Sequence, residues 1–425
     1  MAMADFARPR GTYDIKPSET PAWQAVEDLA RTLFSHYHFE EMRTPIFEHT
    51  EVFERGVGDT SDIVQKEMYT FVTRGEKSVT LRPEGTAGVV RAFVENKLYG
   101  GPLPAKLWYL GPMFRYEAPQ AGRNRQFHQY GVEVIGSSDP RVDAEVIELG
   151  ARFLLEAGVA DARLELNSVG CPVCRAAHRA ALIAHLAPIR GSLCADCQGR
   201  FEKNPLRILD CKKDRDRPEV KSSPRITEYL CADCQTQYSA VKHNLDVLGV
   251  SYVEDSTLVR GLDYYTQTTF EFVDDRIGAK STLLAGGRYN GLVEQLGGPD
   301  MPGIGFAGGV ERLLLARAVQ EEEEGAAKID AYIVTFGSDL TIFDASLRVL
   351  SLLRKAGVTA DLDYAGRGVK AQMKTADRLG ARVAVLLGDE EVANGAVTLR
   401  DLMTKEQNQV SEDACVEAVL ALLSR

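Results

Sequence analysis

The chain has 425 residues, of which 26% are charged and 44% hydrophobic, the balance of an ordinary globular protein and not of a disordered one. A formal net charge of −11 argues against a general nucleic-acid coat, because phosphate binding rests on clustered lysine and arginine, but it leaves room for local basic tracks. No stretch resembles a signal peptide or a bilayer-spanning run, so the expectation is a soluble, cytoplasmic protein of two or three domains with no membrane partner, and its eight cysteines point to thiols or metal ligands before disulfides.

In chain order, the polar segment ARPRGTYDI at 7–15 precedes a helix predicted over 21–37, with Val26, Leu29, Leu33 and Phe34 on one stripe. FEEMRTP at 39–45 reads as a strand stopped by proline, which suits an edge or an interface. SVTLRPEGT at 78–86 begins as a strand and turns at 83–85. That turn leaves Glu84 and Thr86 at a strand end, where a carboxylate and a hydroxyl can hold an ammonium group.

Two antiparallel strands are predicted over 107–117 and 125–135. Alternation puts Met113, Arg115 and Glu117 on one face of the first, and Phe127, Gln129 and Glu133 together on the second, with Val132 and Val134 pointing away. That polar face has the wrong chemistry for a core and suits a polar ligand. The loop between them carries Pro119, Gly122 and Arg123, as a cationic flap over polyphosphate would. Asp139 and Pro140 then open a scaffold helix over 141–157, closed by Gly158.

From 170 to 248 the composition shifts to cysteine pairs, basic residues and amphipathic stretches, as in a helical insertion. Cys171/Cys174, Cys194/Cys197 and Cys231/Cys234 all have the two-residue spacing that lets two thiolates reach one tetrahedral metal. The preferred Zn2+ set is Cys171, Cys174, Cys231 and Cys234, which would staple the root of the insertion. Cys194, Cys197 and Cys211 are then spare or form a second, incomplete site; reduced cysteines without metal are the alternative. Lys203, Arg207, Lys212, Lys213, Arg215, Arg217 and Lys221 make the same region basic, either as a solvated face or as a nucleic-acid contact.

LVRGLDYYTQTTFE at 258–271 has a turn at Gly261, and its β-branched Thr266, Thr268 and Thr269 favour a strand. LAGGRYNG at 284–291 follows, with Gly286 and Gly287 allowing close backbone approach to a ligand. GIGFAGG at 303–309 then runs into a helix containing Arg312. An acidic run at 321–324 is the predicted linker. Beyond it strands at 331–335, 359–362 and 382–387 alternate with helices at 342–355 and 369–379, implying a small, mostly parallel sheet with helices on its faces.

FRYE at 114–117 with Arg123 and Phe127 resembles motif 2 of the class II aminoacyl-tRNA synthetases; the segment 21–45 resembles motif 1 and the stretch around Arg312 motif 3. RGLDYY at 260–265, LAGGRYNG and RPEGT at 82–86 resemble signatures of the histidyl-tRNA synthetases. The resemblance implies an α+β fold: a class II antiparallel-sheet catalytic domain (1–169 and 249–322), a helical insertion (170–248) and a C-terminal α/β anticodon-binding domain (329–425). It implies a histidine-tRNA ligase, a homodimer through motif 1, that activates L-histidine with ATP and Mg2+ and transfers it to tRNA(His).

By the same resemblance Arg115 and Arg260 clamp the α-phosphate and carry catalysis. Glu117 reads the adenine, Phe127 stacks on it, and Arg123 and Arg312 meet the outer phosphates. Histidine falls to Glu84, Thr86, Arg115, Gln129, Glu133, Arg260, Tyr264 and Tyr265. The insertion becomes a candidate acceptor-stem contact, and Lys370, Lys374, Arg378 and Arg382 give the C-terminal domain a basic side. Two rivals are a histidine-sensing regulatory paralogue, which lacks the anticodon domain, and a synthetase for threonine, proline or glycine; retention of the C-terminal domain opposes the first and RGLDYY the second.

Overall fold

The alternation at 107–117 and 125–135 builds a long hairpin of a large sheet. In the computed structural model, residues 7–58, 61–202, 204–209, 211, 213–258, 262–277, 282–318, 329–337 and 339–424 are described. The chain divides into two units, Met1–Glu323 and Glu324–Arg425.

Strands of the first unit are β1 (Glu40–Glu41), β2 (Phe47–His49), β3 (Tyr69–Val72), β4 (Ser78–Leu81), β5 (Ala105–Phe114), β6 (Gln126–Ile135), β7 (Arg163–Ser168), β8 (Val253–Glu254), β9 (Thr266–Val273), β10 (Thr282–Arg288) and β11 (Gly303–Gly309). The main sheet runs β1-β5-β6-β11-β10-β9-β7-β8, while β2, β4 and β3 form a separate small sheet. Its inner pairs are antiparallel, and the short edge pairs β1–β5 and β7–β8 are parallel.

Period-2 alternation decides what each face of the hairpin does. Trp108, Tyr130, Val132 and Val134 point to one side and pack with Phe34 of the helix Thr20–His36, Phe153 of Pro140–Glu156 and Leu313 of Val310–Ala318. Phe34 and Phe153 are fully buried with ring centroids 5.2 Å apart. Burying each large apolar side chain of this layer contributes about 1.5–3 kcal/mol to stability. The opposite face carries Tyr109 and Met113 against Val89, Val90 and Phe93 of the helix Thr86–Glu95, leaving the polar odd-numbered residues beside them.

Three expectations need correction. The strand predicted at 39–45 shrinks to the two residues of β1, because Pro45 has no N–H and only the first residues reach the β5 edge. Glu84 and Thr86 do not stand at a free strand end: Glu84 accepts from the Thr86 and Ala87 amides at 2.8 Å and so caps the helix Thr86–Glu95. Gly286 and Gly287 face neighbouring strands instead of a ligand, since a Cβ on Gly286 would lie 2.2 Å from the Gly305 carbonyl and one on Gly287 2.5 Å from that of Thr268.

Of the insertion's helices, Ala232–Leu248 packs into the main core through Tyr238, Val241 and Leu245. Its basic run is not a uniform free face. Arg207 bonds Asp62 at 3.1 Å and Arg217 bonds the Ser192 carbonyl at 2.7 Å, while Lys203 and Lys212 lie outside the described residues.

In the second unit β12 (Ala331–Thr335), β13 (Ala360–Leu362), β14 (Val383–Leu387), β15 (Ala396–Asp401) and β16 (Gln407–Ser411) form a sheet of order β13-β12-β14-β15-β16. β12 pairs in parallel with β13 and β14, as the strand–helix alternation predicts. β15 and β16 add an antiparallel hairpin that was not expected, so the sheet is mixed. The predicted linker at 321–324 lies outside the described residues.

Candidate active site

Two cavities open beside the polar face of the hairpin. The larger, of about 930 Å³, is lined by Arg115, Glu117, Arg123, Phe127, Gln129 and Arg312 among others. The smaller, of about 140 Å³, is lined by Glu84, Thr86, Arg115, Gln129, Glu133, Tyr264 and Tyr265, with Tyr289. Arg115 and Gln129 border both. Every expected nucleotide contact therefore faces the large cavity, and every expected amino-acid contact faces the small one, except Arg260. Arg260 and Gly261 lie outside the described residues, while the adjoining Leu262 lines both cavities.

Local structure explains how these side chains are aimed. β5 ends at Phe114, but Arg115 N–H still donates to the Arg125 carbonyl at 2.9 Å, so the hairpin geometry continues to the first arginine. Arg115 Nε donates to the Pro83 carbonyl at 2.8 Å, and its guanidinium sits 5.2 Å from the Phe127 ring centroid. The flap turns back through a bridge between Gln120 and Arg123, and a Cβ on Gly122 would come within 3.2 Å of Arg312. Arg123 Nη1 lies 3.4 Å from Glu117 Oε2. Arg312, mostly buried, has its pKa pushed down to about 10 by burial and by the Arg123 guanidinium, with Glu271 and Glu117 opposing. The wall of the large cavity thus brings two guanidinium groups near enough to repel each other, with carboxylates alongside.

The small cavity is the reverse. Thr86 Oγ1 donates to Glu133 Oε1 at 2.6 Å, and Glu84 is buried as the helix cap. Burial pushes the Glu133 carboxyl up to about 8; the Thr86 hydroxyl favours its anion, and Glu84 opposes it. Glu84 is likewise raised by burial, against the two amides it accepts from. Among the described residues, Glu133 Oε2, Gln129 Oε1 and the hydroxyls of Tyr109 and Tyr289 are buried without a hydrogen-bond partner. Such atoms are costly unless a ligand supplies the missing donors and acceptors. Gly305 makes the room: a Cβ there would lie 2.0 Å from Glu133 Oε2. Tyr264 and Tyr265 stand with ring centroids 4.7 Å apart, and Tyr264 and Tyr289 at 6.0 Å.

Sequence reasoning missed Tyr289 and the buried pair Arg288–Asp143. Arg288 Nε donates to Asp143 at 2.9 Å and its Nη1 to the Ser137 carbonyl at 2.9 Å, tying β10 to the helix Pro140–Glu156. Both residues were visible, but a strand arginine and a helix aspartate 145 positions apart carry no local signal of pairing.

In the insertion, the Sγ atoms of Cys171, Cys174, Cys231 and Cys234 lie within 4.8 Å of one another. Cys171 Sγ is 3.5 Å from that of Cys174 and 4.0 Å from that of Cys231, close to the edge of about 3.8 Å expected for a tetrahedron with Zn–S bonds of about 2.3 Å. The Cys231 amide donates to Cys174 Sγ at 3.1 Å.

Clustered guanidinium groups above one cavity suit a polyphosphate, and the sheet carrying them is antiparallel where doubly wound nucleotide folds are parallel. That combination marks the fold of a class II aminoacyl-tRNA synthetase. The sequence model described as histidyl-tRNA synthetase matches residues 11–185 and 212–313, and that of the anticodon binding domain matches 330–422. The chain belongs to the histidyl-tRNA synthetase family. It is 54% identical to the histidine–tRNA ligase of Moorella thermoacetica over 97% of both chains, and 49% identical to that of Halothermothrix orenii over 99% of this chain and 100% of the relative. The apo histidyl-tRNA synthetase of S. aureus superposes with a TM-score of 0.82 at 41% identity, covering 97% of this chain and 99% of that one.

Proposed function

We propose that the two adjoining cavities hold ATP and histidine for adenylate formation, with Arg115 at their junction. The protein is an ATP-dependent histidine–tRNA ligase, as its family membership over nearly the full chain gives. In the first step the histidine carboxylate attacks the α-phosphorus of ATP; a P–O bond forms to the carboxylate, the bond to the β-phosphate oxygen breaks, and pyrophosphate leaves. The nucleophile is ionised at neutral pH, so alignment and cationic cover are what the site must supply. Arg115, with Arg260, takes the α-phosphate; Arg123 and Arg312 take the outer phosphates, Glu117 the adenine amino group and Phe127 the purine face.

Glu84, Thr86 and Gln129 hold the ammonium group while Glu133, Tyr264 and Tyr265 enclose the imidazole. Arg115 lining both cavities supports this division most directly. Mg2+ would be held mainly by the phosphates, with the Glu271 carboxylate on the cavity wall beside Arg312 as a protein ligand, and would neutralise the leaving charge. In the second step a ribose hydroxyl of the tRNA(His) 3′ end attacks the adenylate carbonyl and AMP leaves.

The matched anticodon-binding domain supports tRNA as the partner and weighs against the regulatory paralogue. Lys370, Lys374 and Arg378 lie exposed on the helix Val369–Arg378 as its basic side, whereas Arg382 is paired with Asp401 at 2.9 Å. A homodimer is supported by the apolar surface of the small sheet, where Ile46, Phe47, Phe71 and Val72 are exposed. A cytoplasmic setting fits the described residues, which include no helix long and apolar enough to cross a membrane. Cys171, Cys174, Cys231 and Cys234 fit a structural Zn2+ at the root of the insertion. Charging of tRNA(His) with labelled histidine tests the whole reading; charging that persists in Arg115→Ala would remove the residue on which it turns.

A further inference from the structure

We propose that the insertion holds a second zinc ion, ligated by Cys194, Cys197, Cys211 and Asp214. The ligand atoms of these four residues lie within 4.8 Å of one another, as do those of the Cys171 set. Cys194 Sγ is 3.7 Å from Cys211 Sγ, and Cys211 Sγ is 3.9 Å from Asp214 Oδ2. For Zn–S bonds of about 2.3 Å and Zn–O bonds of about 2.0 Å, tetrahedral edges come to about 3.8 and 3.5 Å. A disulfide needs about 2.05 Å, so this is the spacing of ligands around an ion and not of a bridge.

The grouping repeats the architecture of the first set with one substitution. Cys194 and Cys197 straddle the start of the helix Ala195–Arg200, as Cys171 and Cys174 straddle that of Pro172–Leu186. Cys211-Lys-Lys-Asp214 is the second half-site, with a carboxylate where the first set has a cysteine. Counting cysteines therefore leaves the site one ligand short. Asp214 is only 4% exposed, its Oδ2 accepts from the Cys194 amide at 2.9 Å, and Arg217 stands 3.7 Å from its Oδ1. A ligating carboxylate held by hydrogen bonds is the usual arrangement, and a soft set of three thiolates selects zinc over magnesium or calcium.

The surrounding structure needs such a centre. Between Leu186 and Ala232 the described helices are short, and the local core is Leu186, Leu193, Cys197, Phe201, Ile208 and Val220. A core that small rarely stands without a staple. The segment is nevertheless fixed against the catalytic unit, because Arg200 and Arg207 both bond Asp62, at 2.6 and 3.1 Å, and Arg207, Leu209 and Arg215 line the large cavity. The family model leaves 186–211 unmatched, the stretch that holds Cys194, Cys197 and Cys211.

Metal analysis of the full chain purified without added zinc tests the site separately from the first one. With both sites filled it holds about two equivalents; Cys194→Ser/Cys211→Ser loses about one, and Cys231→Ser/Cys234→Ser loses the other. Retention of the full wild-type content in Cys194→Ser/Cys211→Ser overturns the second site and leaves the first standing. Loss in that variant alone, with Cys231→Ser/Cys234→Ser unchanged, supports the second site and removes the first. Because serine variants can fail to fold, Asp214→Cys is the companion: substituted with Co2+, it gains thiolate charge-transfer absorption over wild type. An unchanged spectrum would show that Asp214 is not a ligand.

Discussion

The Thr86 hydroxyl donates to Glu133 Oε1 at 2.6 Å, joining the first residue of the helix Thr86–Glu95 to the inner strand β6. This bond leaves Oε2 facing the small cavity, with burial holding the carboxyl at a pKa of about 8.

A proton should therefore leave when histidine binds. In the empty pocket at pH 7 Glu133 is mostly protonated; an imidazole N–H facing it favours the carboxylate and lowers its pKa. A ligand that lowers a pKa binds more tightly as pH rises, so affinity should climb between about pH 6 and 8 and level off above. Calorimetry at pH 7 in buffers of different ionisation enthalpy should give release approaching one proton per histidine, and Glu133→Gln should abolish it. Equal heats in all buffers would contradict the assignment.

Substitutions on the phosphate side should act on rate. Arg115→Ala and Arg260→Ala should each slow adenylate formation by about a hundredfold or more, as loss of one charge-stabilising donor does, while histidine binding survives largely intact in Arg260→Ala. Rapid-quench measurement of adenylate distinguishes the two effects; a rate equal to wild type would remove the residue from the phosphate clamp.

Glu117→Ala should act chiefly on ATP. Removing a charged hydrogen-bond partner is worth about 1.5–3 kcal/mol, so the KM for ATP should rise roughly ten- to hundredfold with histidine's little changed. An unaltered KM for ATP in steady-state kinetics would exclude an adenine contact.

The buried pair Arg288–Asp143 should govern stability. Both side chains are fully buried, and removing one strands the other. Arg288→Ala should cost about 3–5 kcal/mol, and Arg288→Met/Asp143→Leu much less, because no unpaired charge remains. Denaturant titration measures both; equal losses would mean that packing and not charge dominates.

What could be read from the chain follows from the range of each signal. Strand alternation is local, so β5, β6 and the side on which Phe127, Gln129 and Glu133 stand were legible, as were Asp139 and Pro140 opening the helix Pro140–Glu156. The helix Thr86–Glu95 was not, because its cap is Glu84 reaching forward from a turn that reads as a strand end. Tyr289 was passed over inside its glycine-rich motif, and only the paired strands reveal that it stands beside Glu133. Asp214 was invisible as a candidate ligand because aspartates are common and the pattern sought was cysteine.

The claim that cationic cover for a triphosphate adjoins a pocket for one amino acid is tested most directly by ATP–pyrophosphate exchange with each amino acid in turn. Histidine alone should support exchange, and Arg115→Ala should lower it about a hundredfold. Exchange absent with histidine, or matched by threonine, proline or glycine, would contradict it.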